Sequence, residues 1–454
     1  MTYKSINPYT KKEVSAFDYI SDEELENKIE LAAKVFKSWQ YYQFAGKAEI
    51  LKKVGALLRE NKEYHAGIIT SEMGKPIKQS VAEVEKCALL CDYYVENAEK
   101  ILKEEIKASS AQKSIVRYEP MGIIYAVMPW NFPYWQVFRF IAPNFMLGNT
   151  GLLKHASNVP TCAIEIEKVF LDAGAPKGVF QNLFINYEQS EFVIENENVH
   201  GVTLTGSNLA GSKVAEHAGK YIKRSVLELG GSDPFIVFAD ADLDKAIENG
   251  INSRFLNNGQ SCIAAKRFIV QHEIYDQFID KFVQKVQSLA CGDPAHPDIF
   301  IGPLAKESFV QELHEQVVKT IEMGARLLTG GKRLDENSLI YLPTVIDQIP
   351  NYAPLCKEEV FGPVAAVFSF ETEIEAISRA NDTNFGLGAT IWTSNMKRAL
   401  NMAREIVTGT VAINGMVKSE PGLPFGGVKD SGYGRELSDS GLKEFANMKT
   451  INIF

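Results

Sequence analysis

Gly122-Ile123-Ile124-Tyr125-Ala126-Val127-Met128-Pro129-Trp130-Asn131 carries an unbroken apolar run that stops at a proline. A strand with one wet face alternates polar and apolar residues. A short run without alternation, as over 123–128, is a strand covered on both faces. The same texture recurs outward from it. Residues 114–118 read as a strand just upstream. Downstream come a helical segment from Trp135, a strand over 152–155, a helix over 161–173 and strands over 179–185 and 201–205. Gly206-Ser207 then opens a further helix. Apolar strands alternating with helices predict an α/β fold, with a parallel sheet between two helical layers. The alternation resumes at Pro234 and runs to about residue 410, which predicts a second α/β domain. The first hundred residues are largely helical. Ser21-Asp22-Glu23-Glu24 forms a capping box ahead of Leu25, Ile29, Ala32 and Phe36, and helices follow near 50–64 and 79–102. Residues 448–454 alternate like an edge strand suited to pairing with another subunit.

Composition narrows the function classes. At 454 residues the chain exceeds what one core serves, and 45% hydrophobic with 23% charged residues is ordinary for a soluble globular protein. The formal charge of −9 offers no footprint for nucleic acid. No apolar run is long enough to span a bilayer, and residues 1–14 lack the apolar core of a secretory signal, so a cytoplasmic protein is expected. The six cysteines (87, 91, 162, 262, 291 and 356) lack metal-binding or disulfide-scaffold spacing. Cys87 and Cys91 share a helix face and read as core. No metal site is expected.

The chemistry concentrates between Val226 and Cys262. Glu228 stands two residues ahead of Gly230-Gly231, and Cys262 follows Asn257-Asn258-Gly259-Gln260-Ser261. A carboxylate and a thiol, each beside glycine where the backbone can approach a ligand, suggest a base and a nucleophile. A free thiol, with a pKa of ~8.5, attacks a carbonyl only as thiolate and needs its surroundings to supply that form. The bland reading of a lone cysteine is a small buried hydrophobe. No GxGxxG follows a strand. Thr205-Gly206-Ser207 does, and a Ser207-capped helix N-terminus offers free N–H groups to a phosphate.

Six motifs in register decide the matter: Pro129-Trp130-Asn131-Phe132-Pro133, Thr205-Gly206-Ser207 with Gly211, Leu227-Glu228-Leu229-Gly230-Gly231, Asn258-Gly259-Gln260-Ser261-Cys262, Glu359-Val360-Phe361-Gly362-Pro363 and Pro424-Phe425-Gly426-Gly427. Together they resemble the aldehyde dehydrogenase superfamily over nearly the whole chain. The resemblance implies NAD(P)-dependent oxidation of an aldehyde to an acid. It also implies two parallel-sheet α/β domains with a small oligomerisation β-region. The cofactor domain would take 1–112 and 124–228, the catalytic domain 229–423, and the bridging region 113–123 and 424–454, in a homodimer or homotetramer. Cys262 would be the nucleophile, Glu228 the base for thioester hydrolysis, and Asn131 an oxyanion donor together with the Cys262 N–H.

For the cofactor the resemblance implies Lys154 near the adenosine ribose, Ser207 on the pyrophosphate and Glu359 on the nicotinamide ribose. Trp130 and Phe361 would flank the path, with Gly206, Gly211 and Leu229 in the surrounding motifs. NAD-preferring relatives carry a glutamate where this chain has Ser157. With no carboxylate to repel a 2′-phosphate, NADP is expected to be accepted, alongside NAD.

Arg139, eight positions after Asn131, falls where the family's substrate funnel is lined, and an arginine fork there suits a carboxylate. Ser419 is near the family's second carboxylate contact. The run around Asn131 most resembles bacterial succinate-semialdehyde dehydrogenases, with glutarate semialdehyde as a neighbouring substrate. A structural ion pair for Arg139 is the competing interpretation, and a broad aliphatic or aromatic aldehyde dehydrogenase the competing function. Two features differ from some relatives. Leu256 replaces an arginine six residues before Cys262, and Ala264 replaces a cysteine that forms a redox-switch disulfide. Glu228 argues against a CoA-acylating member. No histidine sits in a motif suited to a cysteine hydrolase.

Overall fold

The computed structural model describes residues 2–454. Its organising layer is a six-stranded sheet, in the order Gly432–Tyr433, Arg224–Glu228, Val199–Thr205, Ile123–Met128, Thr150–His155 and Phe180–Asn182. All are parallel except Gly432–Tyr433, which pairs antiparallel with Arg224–Glu228. Ile123–Met128 is central and nearly all buried, as its lack of alternation predicted. From this strand the chain first builds outward through Thr150–His155 to Phe180–Asn182. It then returns to the other side through Val199–Thr205. That reversal leaves a crevice beyond the carboxyl ends of the middle strands, where open α/β sheets hold ligands. Pro129-Trp130-Asn131, Ala156-Ser157 and Gly206-Ser207 all follow those ends.

A seven-stranded sheet forms the second layer, in the order Arg326–Thr329, Thr344–Asp347, Val364–Phe370, Ala265–Gln271, Asp233–Val237, Gly388–Trp392 and Thr410–Ile413. Only Arg326–Thr329 runs antiparallel to its neighbour. A three-stranded antiparallel sheet joins Ala446–Ile453, Lys113–Pro120 and Glu105–Lys107. The tail strand thus pairs along one edge within its own chain. Gly432–Tyr433, by contrast, closes the edge of the six-stranded sheet, so the last thirty residues are divided between two layers.

The N-terminal third packs helices Phe44–Glu60, Lys62–Met73 and Ile77–Ile101 against helix Trp135–Leu147 in one large core. The helix expected over 50–64 begins earlier and breaks at Asn61, whose φ of −110° and ψ of 26° are not helical. The strand expected over 179–185 shortens to Phe180–Asn182, and helix Tyr187–Glu195 follows under an Asn186–Gln189 capping box. Cys87 and Cys91 are buried and unpaired. Among the described residues, no helix is long and apolar enough to cross a membrane, and no cluster of three potential ligands could hold a metal.

Candidate active site

The loop ahead of strand Ala265–Gln271 places Cys262. Helix Leu243–Phe255 ends, and Asn257, Asn258 and Gly259 then take left-handed φ values of 56°, 58° and 73°. Asparagine tolerates that region better than most residues, and its amide can repay the strain by bonding nearby backbone. Here it does. Asn257 Nδ2 donates to the carbonyls of Asn131 (2.7 Å) and Gln260 (3.0 Å). Asn258 Nδ2 donates to Gly74 and Pro303, and its Oδ1 accepts from Gly302 N. Gly259 must be glycine, because a Cβ would run into the backbone of Gly362. Gly231 is equally constrained, since its Cβ would lie 2.5 Å from the Cys262 carbonyl oxygen. The NNGQSC and LGG motifs therefore describe one close backbone packing.

Cys262 sits where two cavities meet. The larger, about 520 Å³, is lined by Trp130, Asn131, Gly206, Ser207, Leu229, Glu359 and Phe361 as well as Cys262. The smaller, about 110 Å³, joins Cys262 to Trp135, Arg139, Ser419 and Lys86. Burial pushes the Cys262 thiol up to about 11, while Arg139 and Lys266 pull it the other way. Lys266 Nζ donates to the Cys262 carbonyl (2.7 Å) and pairs with Glu359 at 3.2 Å. Asn131 is buried, and its Nδ2 donates to the Gln260 carbonyl at 3.2 Å.

Glu228 ends its strand 2% exposed, behind the wall of the larger cavity rather than on it. Its carboxyl oxygens meet no hydrogen-bond partner among the described residues. Burial, and then the neighbouring Glu436, hold its pKa well above the carboxylate range. Gly426 makes room for it, because a Cβ there would lie 2.7 Å from Glu228 Oε1. The PFGG motif thus backs the carboxyl group.

On the larger cavity, Ser207 caps helix Asn208–Lys220 by accepting from Ala210 N. Trp130 stacks on Phe309 (4.8 Å) and meets Phe361 edge-on (5.9 Å). Glu359 accepts from Gly231 N at 2.9 Å. Gly211 lets the helix approach Leu229 closely and lies off the cavity wall. Lys154 and Ser157 also lie off the cavity wall, and Lys154 has no carboxylate partner. Its ammonium lies 5.9 Å and 5.4 Å from the ring centroids of Tyr3 and Tyr187, and burial lowers its pKa to about 8. Ser157 is exposed, its carbonyl tied to Lys4 N. A capped helix N-terminus, an unpaired lysine and a site free of acid at 157 fit a dinucleotide with a 2′-phosphate.

On the smaller cavity, Arg139 lies beside Glu436, Nε to Oε2 at 2.6 Å, without hydrogen-bond alignment. Its guanidinium covers the Phe425 ring at 4.7 Å, and its Nη2 has no hydrogen-bond partner. Arg139 therefore both lines the cavity and carries the ion pair that was its competing interpretation. Ser419 Oγ accepts from Lys86 Nζ (2.8 Å) and Trp135 Nε1 (2.9 Å). Arg254 is wholly buried and donates to the Val360, Gly362 and Val364 carbonyls, which brace the Glu359–Phe361 loop. Lys86, Phe309 and Glu436 are not legible in the sequence because each meets its partner through a distant chain segment. Lys266 is only four positions from Cys262, but its link to Glu359 spans 93.

A model of the aldehyde dehydrogenase family matches residues 1–451. A probable NADP+ succinate-semialdehyde dehydrogenase of a Synechocystis species is 46% identical over 99% of each chain. A Mycobacterium tuberculosis NADP+ succinate-semialdehyde dehydrogenase is 47% identical over 99% of each. The crystal structure of succinic semialdehyde dehydrogenase from Streptococcus pyogenes in complex with NADP+ superposes with a TM-score of 0.97, at 39% identity and 99% coverage of each chain.

Proposed function

The chain belongs to the aldehyde dehydrogenase family, and on that premise we propose that it oxidises an ω-carboxy aldehyde, succinate semialdehyde first, to the dicarboxylic acid with NADP+. The observation that carries the proposal is the position of Cys262, whose thiol can form the acyl intermediate, between a cofactor-sized cavity and a cation-lined one. NAD+ is the alternative cofactor.

In this account the Cys262 thiolate adds to the aldehyde carbon, forming a carbon–sulfur bond and placing negative charge on the oxygen. Asn131 Nδ2 and the Cys262 N–H stabilise that oxyanion. Bound NADP+ supplies the hydride acceptor, which leaves a thioester on Cys262. Glu228, once deprotonated, takes a proton from the water that attacks the thioester, releasing the acid and the thiolate. Its buried, unpartnered carboxyl would have to turn toward the cavity to do so.

Lys154 and Ser157 would receive the 2′-phosphate, Ser207 and Gly206 the pyrophosphate, and Glu359 the nicotinamide ribose. Leu229, Trp130 and Phe361 would enclose the path, and Gly211 would act only by admitting Leu229. Arg139, through its unpartnered Nη2, and Ser419 would face the substrate carboxylate. The domain boundaries expected above are kept, except that Glu105–Lys107 joins the bridging sheet and Gly432–Tyr433 the cofactor sheet. Strand Ala446–Ile453 has one unpaired edge, and Met448, Ile453 and Phe454 are exposed. That edge suits pairing with a second copy, as a homodimer or homotetramer. Six unpaired cysteines suit a reducing, cytoplasmic compartment.

The direct test is stoichiometry. Wild-type protein should form one NADPH per molecule of acid. Cys262→Ala should form none while still binding NADP+, as read by quenching of tryptophan fluorescence. Full turnover by the alanine variant would end the assignment.

A further inference from the structure

Lys86 is a charged residue at the cavity that the family motifs do not reach. It lies on helix Ile77–Ile101, half-buried, with its ammonium 4.1 Å from the Trp135 ring centroid and 2.8 Å from Ser419 Oγ. It lines the small cavity that ends at Cys262. It also lines an outer cavity of about 510 Å³ that shares Phe132, Trp135 and Leu256 with the inner one. Lys86 therefore lines both the cavity that holds the nucleophile and the one adjoining it.

Of the other cations that line this passage, Lys418 is exposed to solvent, which supplies its counter-ions, and the rest lie beside carboxylates. Lys75 pairs with Glu83, Lys78 lies 3.7 Å from Asp298, and Arg139 lies 2.6 Å from Glu436. Lys86 has no carboxylate within ion-pair distance among the described residues; its polar contact is a neutral hydroxyl. The charged and titratable groups that bear on it are Glu83 and Cys87 on its own helix, Arg139 on the facing helix and Glu420 beyond Ser419. Burial first, then Arg139, lower its pKa to about 8. A half-buried cation held without a counter-ion is unfavourable unless something else supplies one.

Ser419 completes the arrangement. Its oxygen accepts from both Lys86 and Trp135, which occupies its two lone pairs and leaves only its O–H to give. No acceptor for that hydrogen is found among the described residues. The remaining ammonium hydrogens of Lys86 and the Ser419 hydroxyl thus form a donor set that lacks only an anion.

We propose that Lys86, acting with the Ser419 hydroxyl, is the specificity-determining receptor for the ω-carboxylate of the aldehyde. It supplies the unbalanced positive charge that Arg139, already beside Glu436, does not. The inference rests on the ω-carboxy aldehyde reading above and assigns the charge that makes it work.

The test compares kcat/KM for succinate semialdehyde and for butanal, at saturating NADP+, in wild type, Lys86→Met and Lys86→Arg. Losing a charge-assisted contact in a partly buried site should lower the semialdehyde-to-butanal ratio roughly 30-fold or more in the methionine variant, chiefly through KM. The arginine variant should recover most of it. A methionine variant that keeps the wild-type ratio overturns the inference while leaving the substrate reading intact. A wild type that does not discriminate overturns the substrate reading itself. A second measurement needs no variant. Anion binding requires the protonated ammonium, so the wild-type ratio should hold near pH 7 and fall as pH rises above about 8, while dividing by butanal cancels the titrations of Cys262 and Glu228. A ratio flat from pH 7 to ~9.5, well past the lysine midpoint, also overturns it.

Discussion

Introducing a carboxylate at position 157 should shift the cofactor preference toward NAD+. Ser157 lies two residues past strand Thr150–His155, is exposed, and has its backbone fixed by the hydrogen bond from Lys4 N. Lys154 waits nearby without an acidic partner, its pKa lowered by burial to about 8. In Ser157→Glu the new carboxylate would act twice, pairing with Lys154 and repelling the 2′-phosphate. For a carboxylate ~5 Å from a phosphate of charge about −1.5, with an effective dielectric of ~40 at this half-exposed site, the repulsion is about 2–3 kcal/mol. That corresponds to roughly a 30- to 150-fold fall in kcat/KM for NADP+ relative to NAD+. The glutamate would also accept from the ribose hydroxyls of NAD+, which moves the ratio the same way. The assay is initial-rate kinetics with both cofactors at one fixed aldehyde concentration, with Ser157→Ala as the control for losing the hydroxyl alone. A change in the ratio of under ~3-fold in the glutamate variant, below ~1 kcal/mol, would refute the placement of the 2′-phosphate.

Two further outcomes follow from the catalytic residues. Glu228→Gln should still release about one equivalent of NADPH per active site in a rapid burst. Steady-state turnover should then fall ~10²- to 10⁴-fold, because only thioester hydrolysis needs the base; unchanged steady-state turnover would remove Glu228 from the mechanism. Burial holds the Cys262 thiol up near 11, so iodoacetamide alkylation of the free enzyme should climb about tenfold per pH unit between 7 and 9. A rate already flat by pH 8 would show a thiolate preformed in the free enzyme.

The parts of the molecule legible in the sequence were those whose signal is local. Ile123–Met128 is buried on both faces, and its unbroken apolar run says so. The Asn257-Asn258-Gly259 run is legible because few other residues accept three successive left-handed conformations. Helix Tyr187–Glu195 also carries a local signal, the Asn186 and Gln189 capping box just past the apolar stretch over 179–185. Asn61 breaks the helix expected over 50–64 by leaving helical φ/ψ, and its Nδ2 donates to the Leu57 carbonyl one turn back. The site divides in the same way. Glu228, Asn131 and Cys262 lie in motifs, whereas the Arg139–Glu436 approach joins residues about three hundred positions apart. The Lys86–Ser419 contact likewise spans 333 positions. Periodicity carries no information about such pairs.

The most direct test of the account is the ratio of wild-type kcat/KM for succinate semialdehyde to that for butanal, its neutral four-carbon counterpart, with NADP+ as cofactor. A cavity built around unpaired donors for a carboxylate predicts a preference of at least ~100-fold for the semialdehyde, because the neutral aldehyde leaves those donors unmet. Equal efficiencies would contradict the account, leaving a general aldehyde dehydrogenase in which Arg139 serves only to hold Glu436.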